Sequence, residues 1–390
     1  MPGSFITTEA EWDAFRTELR FNGRDATKLQ SEADRWLEIS PVSVADKQPS
    51  DRDPCDYVSQ APYWWADPQK ENGLPYIRRD GEENPEIHRS DRARLEAFRD
   101  AISCLILQAR ASGSLEYAEQ AGRFLRRWFL DPGFAMTPHM RYAQFIPGIC
   151  DGRAIGLIES SIFCFVLDEV THLPFCESWT PQDLQRLKEW FSAYLNWFLG
   201  SEHGIQESTQ HNNHGTWYDA QVVCFAQFCG RQDEAIRWLE QHVLQRMESQ
   251  IAPDGSQPHE LARTLSLTYC TFNLTALAVM ARVADRVSAD GWRARLLEAL
   301  RPALHWMLPY YLNRREWGWQ QREPFKKASA AYLLNLAAGV DQDAEISQAA
   351  DQLALHAWSR ISVWGGNLRS YDRSVAGSIL RPSDKPGPQH

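Results

Sequence analysis

Two histidines and two asparagines stand close together at the predicted start of a helix, in the stretch Gln210–Asp219. Asn212 or Asn213 would make an ordinary helix cap, because asparagine is a favoured capping residue. His211 and His214 are three residues apart and could also ligate a metal, although no HExxH arrangement and no obvious carboxylate on the same face accompany them. The spacing alone therefore leaves a polar cap, a metal site and a catalytic site open.

An arginine and a tyrosine mark a second polar stretch, Asp254–Tyr269. Arg263 and Tyr269 are six residues apart, and a regular helix would place them about 120° from alignment, so their side chains would not stack. An irregular turn near Pro258 would let both converge on a ligand at the helix mouth. The alternative for Tyr269 is a core tyrosine whose hydroxyl group is satisfied by a hydrogen bond.

Several common catalytic and binding motifs do not occur in the sequence. It contains no GxSxG, GxxxxGK[ST] or GxGxxG pattern, so serine hydrolase, nucleotide-binding and nicotinamide-dependent functions lose their usual support. None of the eight cysteines forms a CxxC pair, which argues against a zinc ribbon or a thioredoxin-type site. Most of them fall in apolar helical stretches, where a free cysteine behaves as a small hydrophobic residue. The sequence leaves open whether one or two disulfides form.

Composition limits the classes of partner. The chain has 390 residues with 41 basic and 51 acidic side chains, a net charge of −10, which argues against nucleic acid as the main partner. A local cluster of Arg and His can still attract an acidic substrate into a cleft. No apolar run reaches the ~18–20 residues that cross a membrane, and no signal peptide is visible after Met1. The hydrophobic content of 43% is ample for a packed core.

Helical periodicity dominates the chain after residue 90. Apolar residues recur there at three- and four-residue intervals, and Thr180-Pro181 is a helix start signal, with a capping threonine before proline. About twelve helices are predicted, near 8–20, 28–38, 90–112, 114–130, 151–170, 180–198, 212–229, 231–250, 259–286, 291–307, 324–339 and 344–359. With no βαβ alternation and no fixed repeat, the pairing of these helices predicts an all-α fold, an (α/α) toroid or barrel of six to seven helical hairpins.

The region 40–89 differs from the helical remainder, because it is rich in proline, aspartate, glycine and aromatic residues. Long ordered segments of this kind are usually functional. We predict that it forms an N-terminal Pro/Trp-rich arm or lid over the cleft, that 90–360 form the helical body, and that 1–390 is a single domain. The sixteen tryptophans of the chain suit a core and also a groove that binds sugar rings.

Short sequence strings between about residues 55 and 340 carry a family resemblance. In chain order they are Ser59–Trp65 (SQAPYWW), Tyr76–Gly81 (YIRRDG), Tyr142–Gly148 (YAQFIPG), Asn212–Gly215 (NNHG), Glu260–Arg263 (ELAR) and Tyr269–Leu274 (YCTFNL). Together they resemble the alginate lyase superfamily of polysaccharide lyases, more closely family 38 and more distantly family 5. An (α/α) toroid is the fold that this resemblance implies.

The resemblance also implies a reaction, β-elimination on a β-1,4-linked polyuronate such as glucuronan, alginate or polymannuronate. Its catalytic residues map onto Asn213, His214, Arg263 and Tyr269. The first three would neutralise the C6 carboxylate, so that charge can spread into an enolate-like intermediate when the C5 proton leaves. Tyr269 would take that proton and protonate the O4 leaving oxygen where both lie on one side of the sugar, whereas His214 would be the base for guluronate.

Other residues in or beside these strings are predicted to bind the substrate, with a structural role left open for each. They are Gln60, Tyr63, Trp64, Trp65, Arg78, Arg141, Tyr142 and Gln144, with Arg153, His139 and His259 as secondary candidates. No metal or cofactor is implied, because asparagine, arginine and histidine supply the neutralising groups. The predicted partner is an acidic polysaccharide rather than nucleic acid or a membrane. The sequence leaves the polymer and the oligomeric state open.

Two other functions remain compatible with the sequence. A glycoside hydrolase on the same helical toroid would use two carboxylates, such as those of Asp151, Asp254 or Glu260. A non-catalytic carbohydrate-binding protein would use the aromatic groove alone. A lyase leaves an unsaturated uronate that absorbs ultraviolet light, a hydrolase leaves only a new reducing end, and a binding protein leaves neither.

Overall fold

The computed structural model describes residues 4–48, 51–287, 291–341 and 343–362. Helices make up most of this part of the chain. The α-helices are α1 (Glu9–Phe21), α2 (Gly23–Leu37), α3 (Asp91–Ser112), α4 (Leu115–Phe129), α5 (Ile162–Thr171), α6 (Pro181–Gly200), α7 (Glu202–Ser208), α8 (Asn213–Phe228), α9 (Gln232–Trp238), α10 (Leu244–Gln250), α11 (Pro258–Leu261), α12 (Ser266–Val287), α13 (Trp292–Tyr311), α14 (Lys327–Ala338) and α15 (Ala344–Leu353). Short 3-10 helices lie at Val44–Asp46, Pro85–Arg89, Ala154–Ser161 and Ala357–Arg360, and a π-helical turn at Leu239–Val243 joins α9 to α10.

The most buried helices form a closed ring in which each helix packs against the next. Helix α3 packs on α5, α5 on α8, α8 on α12, and α12 on α14. The circle closes through the 3-10 helix Ala357–Arg360, which contacts both α14 and α1, while α1 contacts α3. Outer helices pair with this inner series, as α4 does with α3, α9 with α8, α13 with α12 and α15 with α14. The prediction of an all-α fold is confirmed, and the contacts are those of a helical ring.

A single hydrophobic cluster extends from Phe5 to Ile361 and fills the ring. Five of its tryptophans are almost fully buried, which accounts for part of the high tryptophan content: Trp12, Trp128, Trp179, Trp217 and Trp358. Helix α12 is long and apolar enough to span a membrane by composition, yet 94% of its apolar window is buried in the fold, as expected of a central core helix. The eight cysteines are all free thiols.

Four short strands form two pairs, one of which connects the proline-rich arm to the helical body. They are β1 (Val58–Gln60), β2 (Trp64–Trp65), β3 (Ile77–Arg78) and β4 (Tyr142–Phe145). β1 pairs in parallel with β4, which lies in the body, whereas β2 and β3 form an antiparallel pair inside the arm. The Ala61 amide also donates to the Phe145 carbonyl. The arm is thereby held against the body by backbone hydrogen bonds.

Several predicted helices differ from the structure, among them 231–250, which contains the π-helical turn at Leu239–Val243. The predicted helix 259–286 is interrupted at Ala262–Leu265, because the backbone of this segment bonds to a loop instead: Ser266 donates to Gln320, and Arg322 donates to Thr264. The first half of 151–170 is a 3-10 helix. Helix α15 ends at Leu353, six residues before the end of the predicted helix 344–359. Helix α7 was not expected. The predicted single domain, 1–390, includes residues after 362 that lie outside the described part of the chain.

Candidate active site

A cleft with about 750 Å³ of empty space opens where the arm meets the N-terminal ends of α8 and α12. Its walls combine cationic, aromatic and amide side chains. The lining residues are Pro62, Tyr63, Trp64, Arg78, Gln144, Arg153, Ile155, Gln210, Asn212, His214, Arg263 and Tyr269. None of these twelve residues is an aspartate or a glutamate. The cleft therefore suits an anionic ligand that carries ring-shaped, hydroxyl-bearing units.

The start of α8 combines a helix cap with candidate catalytic side chains. Asn212 is the N-cap, and its side-chain oxygen accepts a hydrogen bond from the His214 amide at 3.1 Å. Asn213 follows at the first helical position and is completely buried. Both its backbone N–H and its Nδ2 donate to the Glu260 carboxylate, at 2.6 Å and 2.7 Å. Asn212 is thus the helix cap, and its neighbours Asn213 and His214 are the candidate catalytic residues.

His214 faces the cleft and is held from behind by a buried carboxylate. Its Nδ1 lies 2.8 Å from Oε1 of Glu207, which is 1% exposed. The carboxylate of Glu260 also lies near His214, and burial raises the pKa of Glu260 in spite of the hydrogen bonds from Asn213. With Nδ1 occupied, Nε2 is the ring nitrogen that remains for a ligand.

Arg263 and Tyr269 meet in the structure, although a regular helix would have separated them. Arg263 lies in the break between α11 and α12, and Tyr269 in the first turn of α12. The guanidinium stacks 4.1 Å from the tyrosine ring, and its Nη2 donates to the hydroxyl oxygen at 3.2 Å. The irregular turn expected near Pro258 lies at Ala262–Leu265. The hydroxyl group of Tyr63, from the arm, is 2.9 Å from that of Tyr269.

Arg263 is also positioned by the arm. Its Nη2 lies 3.8 Å from the Asp80 carboxylate, which forms a 2.7 Å ion pair with Arg78. Burial favours the neutral form of Arg263, but the interactions with Tyr269 and Asp80 outweigh it and raise its pKa. Arg263 therefore remains a fixed cation beside the Tyr269 hydroxyl group.

Gln144 and Arg153 form another part of the cleft wall. Gln144 is buried and has a left-handed backbone, with φ of 53°, which is uncommon for a residue other than glycine. Its Oε1 accepts a hydrogen bond from Arg153 Nη2 at 2.8 Å. Within the described residues Arg153 has no carboxylate within ion-pairing distance, and its buried Nε has no hydrogen-bond partner. Desolvation lowers the pKa of Arg153 accordingly.

The structure does not bring every predicted binding residue to the cleft. Five of the predicted residues, including one catalytic candidate, do not line it: Gln60, Trp65, Arg141, Tyr142 and Asn213. Gln60 donates to Glu86, the Trp65 indole donates to the Glu82 carbonyl, and Tyr142 packs under Arg52. Arg141 is exposed. The secondary candidates His139 and His259 contact Asp56 and His211, respectively, instead of the cleft.

The carboxylates considered for a hydrolase are not paired in the cleft. The side chain of Asp151 is 85% exposed and pairs with Arg52, and Asp254 lies in a surface turn with Ser256. Glu260 is buried under Asn213 and does not line the cleft. Across the described ranges, no group of three or more His, Cys, Asp or Glu side chains is placed to hold a metal ion.

Sequence reasoning missed four polar residues of the site. Gln210 and Asn212 line the cleft, and Glu207 and Asp80 hold catalytic candidates in place. Gln210 and Asn212 belong to the polar stretch already noted, so their proximity to His214 was a usable signal. Glu207 had no such signal, because it belongs to the unexpected helix α7.

Comparisons with known proteins define the class as that of the polysaccharide lyases. A family model described as alginate lyase matches residues 42–317, and the chain therefore belongs to the alginate lyase family. A crystal structure of an alginate lyase from Bacteroides ovatus is 33% identical with a TM-score of 0.83, covering 93% of this chain and 99% of that chain. The chain is thus a polysaccharide lyase, and its membership of family 38 stays a prediction.

More distant structures show weaker likeness. Alginate lyase A1-III, in a variant complexed with a tetrasaccharide, is 15% identical with a TM-score of 0.46, covering 78% of this chain and 83% of that chain. Alginate lyase A1-III from Sphingomonas species A1 is 16% identical with a TM-score of 0.43, covering 78% and 84%. No curated protein matches the chain.

Proposed function

We propose that this lyase cleaves a β-1,4-linked polyuronate, glucuronan or the mannuronate-rich part of alginate, by β-elimination. The observation that carries the proposal is the convergence of His214, Arg263 and Tyr269 on one cleft that no carboxylate lines. The arm of residues 40–89 is proposed to cover this cleft, since it contributes Tyr63, Trp64 and Arg78 to the walls. An acidic polysaccharide is the partner that such walls would attract.

Neutralisation of the C6 carboxylate is the first requirement of the reaction. Arg263 is a fixed cation and His214 presents Nε2, so the two can bind one carboxylate from the cleft wall. This neutralisation lets negative charge spread from C5 into the carboxyl group in the transition state. The role of Asn213 as a third donor stays a prediction, because its amide lies behind the cleft surface and already donates one hydrogen to Glu260.

Proton transfer is the second requirement, and Tyr269 is the proposed base and acid. Its hydroxyl group lies between Arg263, which stabilises a tyrosinate, and the Tyr63 hydroxyl group. The tyrosinate would take the C5 proton, the C4–O4 bond would break as the C4–C5 double bond forms, and the same tyrosine would protonate O4. This sequence fits sugars whose C5 hydrogen and O4 lie on one side, as in mannuronate and glucuronate.

The ultraviolet absorbance of the product tests the reaction class. The enzyme is incubated with polymannuronate, polyguluronate, glucuronan and mixed alginate, and both absorbance and new reducing ends are measured. We expect both signals to rise together on polymannuronate or glucuronan. Reducing ends without absorbance would indicate hydrolysis, and substrate binding without either product would indicate a non-catalytic protein. Preference for polyguluronate would contradict Tyr269 as the only proton carrier.

A further inference from the structure

The carboxylate of Glu207 is buried in an unusual way. Its side chain is 1% exposed, and across the described residues its only ion-pair partner within 4 Å is His214, whose Nδ1 is 2.8 Å from Oε1. The second oxygen, Oε2, is buried without a hydrogen-bond partner. Burying a carboxylate is costly unless it is paired and hydrogen-bonded. A residue of this kind is therefore expected to serve its one partner.

The surrounding backbone keeps Glu207 and His214 in register. Arg246 donates from Nη2 to the Ser208 carbonyl at 2.8 Å and from Nη1 to the Gln210 carbonyl at 2.7 Å, so it fixes the turn between α7 and α8. Gly215 is needed for this clamp, because a Cβ there would lie 2.1 Å from the Gln210 oxygen and 2.2 Å from Arg246 Nη1.

We propose that Glu207 is a positioning residue for His214. By accepting the Nδ1–H hydrogen bond, Glu207 fixes the imidazole ring with Nε2 toward the cleft and selects the protonation pattern in which Nδ1 carries hydrogen. Other titratable side chains also interact with this pair: Arg153 and Tyr218 with Glu207, and Glu260 with His214. The proposal rests on the proposed function, since it concerns the histidine that binds the carboxylate there.

The position of the second carboxylate supports this role. Glu260 accepts a hydrogen bond from Asn213, and Glu207 is hydrogen-bonded to His214. Neither glutamate lines the cleft. Two consecutive residues at the start of α8 are thus each fixed by a separate buried carboxylate. An arrangement of this kind sets the direction of side chains before the substrate arrives, which lowers the cost of ordering them in the transition state.

Glu207→Gln is the main test, with Glu202→Gln as the matched control. Both residues belong to α7, but Glu202 is exposed and lies outside the cleft lining. Glutamine in place of Glu207 can present its NH₂ group to Nδ1 and so select the opposite tautomer. We expect kcat to fall at least about 10-fold with KM changed less than about threefold. Glu202→Gln should match the unmodified enzyme.

A nuclear magnetic resonance measurement separates positioning from a purely structural effect. The Nδ1–H proton of His214, bonded to a carboxylate, should give a downfield resonance in the unmodified enzyme and in Glu202→Gln. It should be absent from His214→Ala and displaced or lost in Glu207→Gln. A spectrum in which Glu207→Gln leaves this resonance unchanged would overturn the proposal. Turnover is expressed per folded molecule, so a loss of folded protein does not count as a loss of positioning.

A double variant completes the test and separates the two proposals. If Glu207 acts only through His214, Glu207→Gln should cause no further loss in the His214→Ala background. A full additional loss there, or turnover per folded molecule equal to that of the control, would overturn the positioning role alone. A fully active His214→Ala enzyme would instead contradict the proposed function. Glu207→Asp keeps the charge and should recover part of the kcat lost in Glu207→Gln.

Discussion

Replacement of Tyr269 by phenylalanine removes one oxygen atom from the site and leaves the ring in place. That oxygen lies 2.9 Å from the Tyr63 hydroxyl group and accepts a hydrogen bond from Arg263 at 3.2 Å. If it carries the C5 proton to O4, its removal abolishes acid–base catalysis, which is worth about 10²–10⁴ for each transfer. We expect kcat to fall by at least about 10³-fold. KM should change little, because Arg263 and the other cleft walls remain.

The same substitution also has a structural cost that must be measured separately. Tyr269 is 7% exposed, and its loss leaves the Arg263 and Tyr63 donors with one partner fewer. A hydrogen-bonding group left unsatisfied in a buried site costs about 1–3 kcal/mol. If Tyr269 were only a core residue, this loss of stability would be the whole effect. Turnover per folded molecule would then be retained.

Tyr63→Phe is the matched control, because it breaks the same hydrogen bond between the two tyrosines and keeps the Tyr269 hydroxyl group. Thermal melting and the ultraviolet assay are run on the same preparations of both variants. We expect a smaller loss of stability in Tyr63→Phe, since it breaks one of the two hydrogen bonds of the Tyr269 hydroxyl group, and a much smaller loss of kcat. Near-normal turnover of Tyr269→Phe, or equal losses of kcat in the two variants, would refute the assignment of Tyr269 as base and acid.

Three further predictions follow from the charges of the structure. Arg153→Gln should raise KM about 10-fold or more by removing a cation from the cleft. Arg123 is an exposed arginine that also bonds a glutamine, and Arg123→Gln should leave KM unchanged. Equal effects of the two substitutions would contradict a binding role for Arg153. EDTA should leave activity unchanged, since Arg263 and His214 supply the positive charge; loss of activity restored by a divalent cation would contradict this. Burial raises the pKa of Glu169 to about 7 from 4.5. The ionised carboxylate therefore destabilises the folded protein increasingly as pH rises between these values. Thermal or denaturant unfolding should show that Glu169→Gln gains about 3 kcal/mol in unfolding free energy at pH 8 and little at pH 4.

Much of the helical framework was predictable, because caps and apolar spacing are local signals. Thr180 was expected to begin a helix before Pro181, and the structure shows a full capping box in which Thr180 and Asp183 bond reciprocally. Asn212 was considered as a cap and is one. The polar residues that follow such caps lie at helix ends by necessity. For this reason the sequence located His214 at the correct end of its helix.

The binding residues were harder to predict, because a strand alternates its faces and this one is irregular. Trp64 and Trp65 are adjacent in β2, so only one of them can face the cleft, and Trp64 does. Tyr142 and Gln144 would share a face in a regular strand. The left-handed backbone of Gln144 and the register irregularity between β1 and β4 break that rule. Gln144 therefore lines the cleft, and Tyr142 does not.

Burial separates the two kinds of charge that the sequence leaves mixed. A glycosidase needs two carboxylates that face the bond from about 5 to 9.5 Å apart, yet the cleft presents Arg78, Arg153 and Arg263 and no carboxylate. Two buried glutamates beside the cleft, Glu207 and Glu260, lie under the start of α8 and take up hydrogen bonds from residues there. Guanidinium groups at the surface of the cleft attract and neutralise an anionic sugar, and carboxylates beneath it hold the donors still. This division of charge supports an elimination that begins by neutralising a uronate, and it opposes a hydrolysis that would need the carboxylates in front.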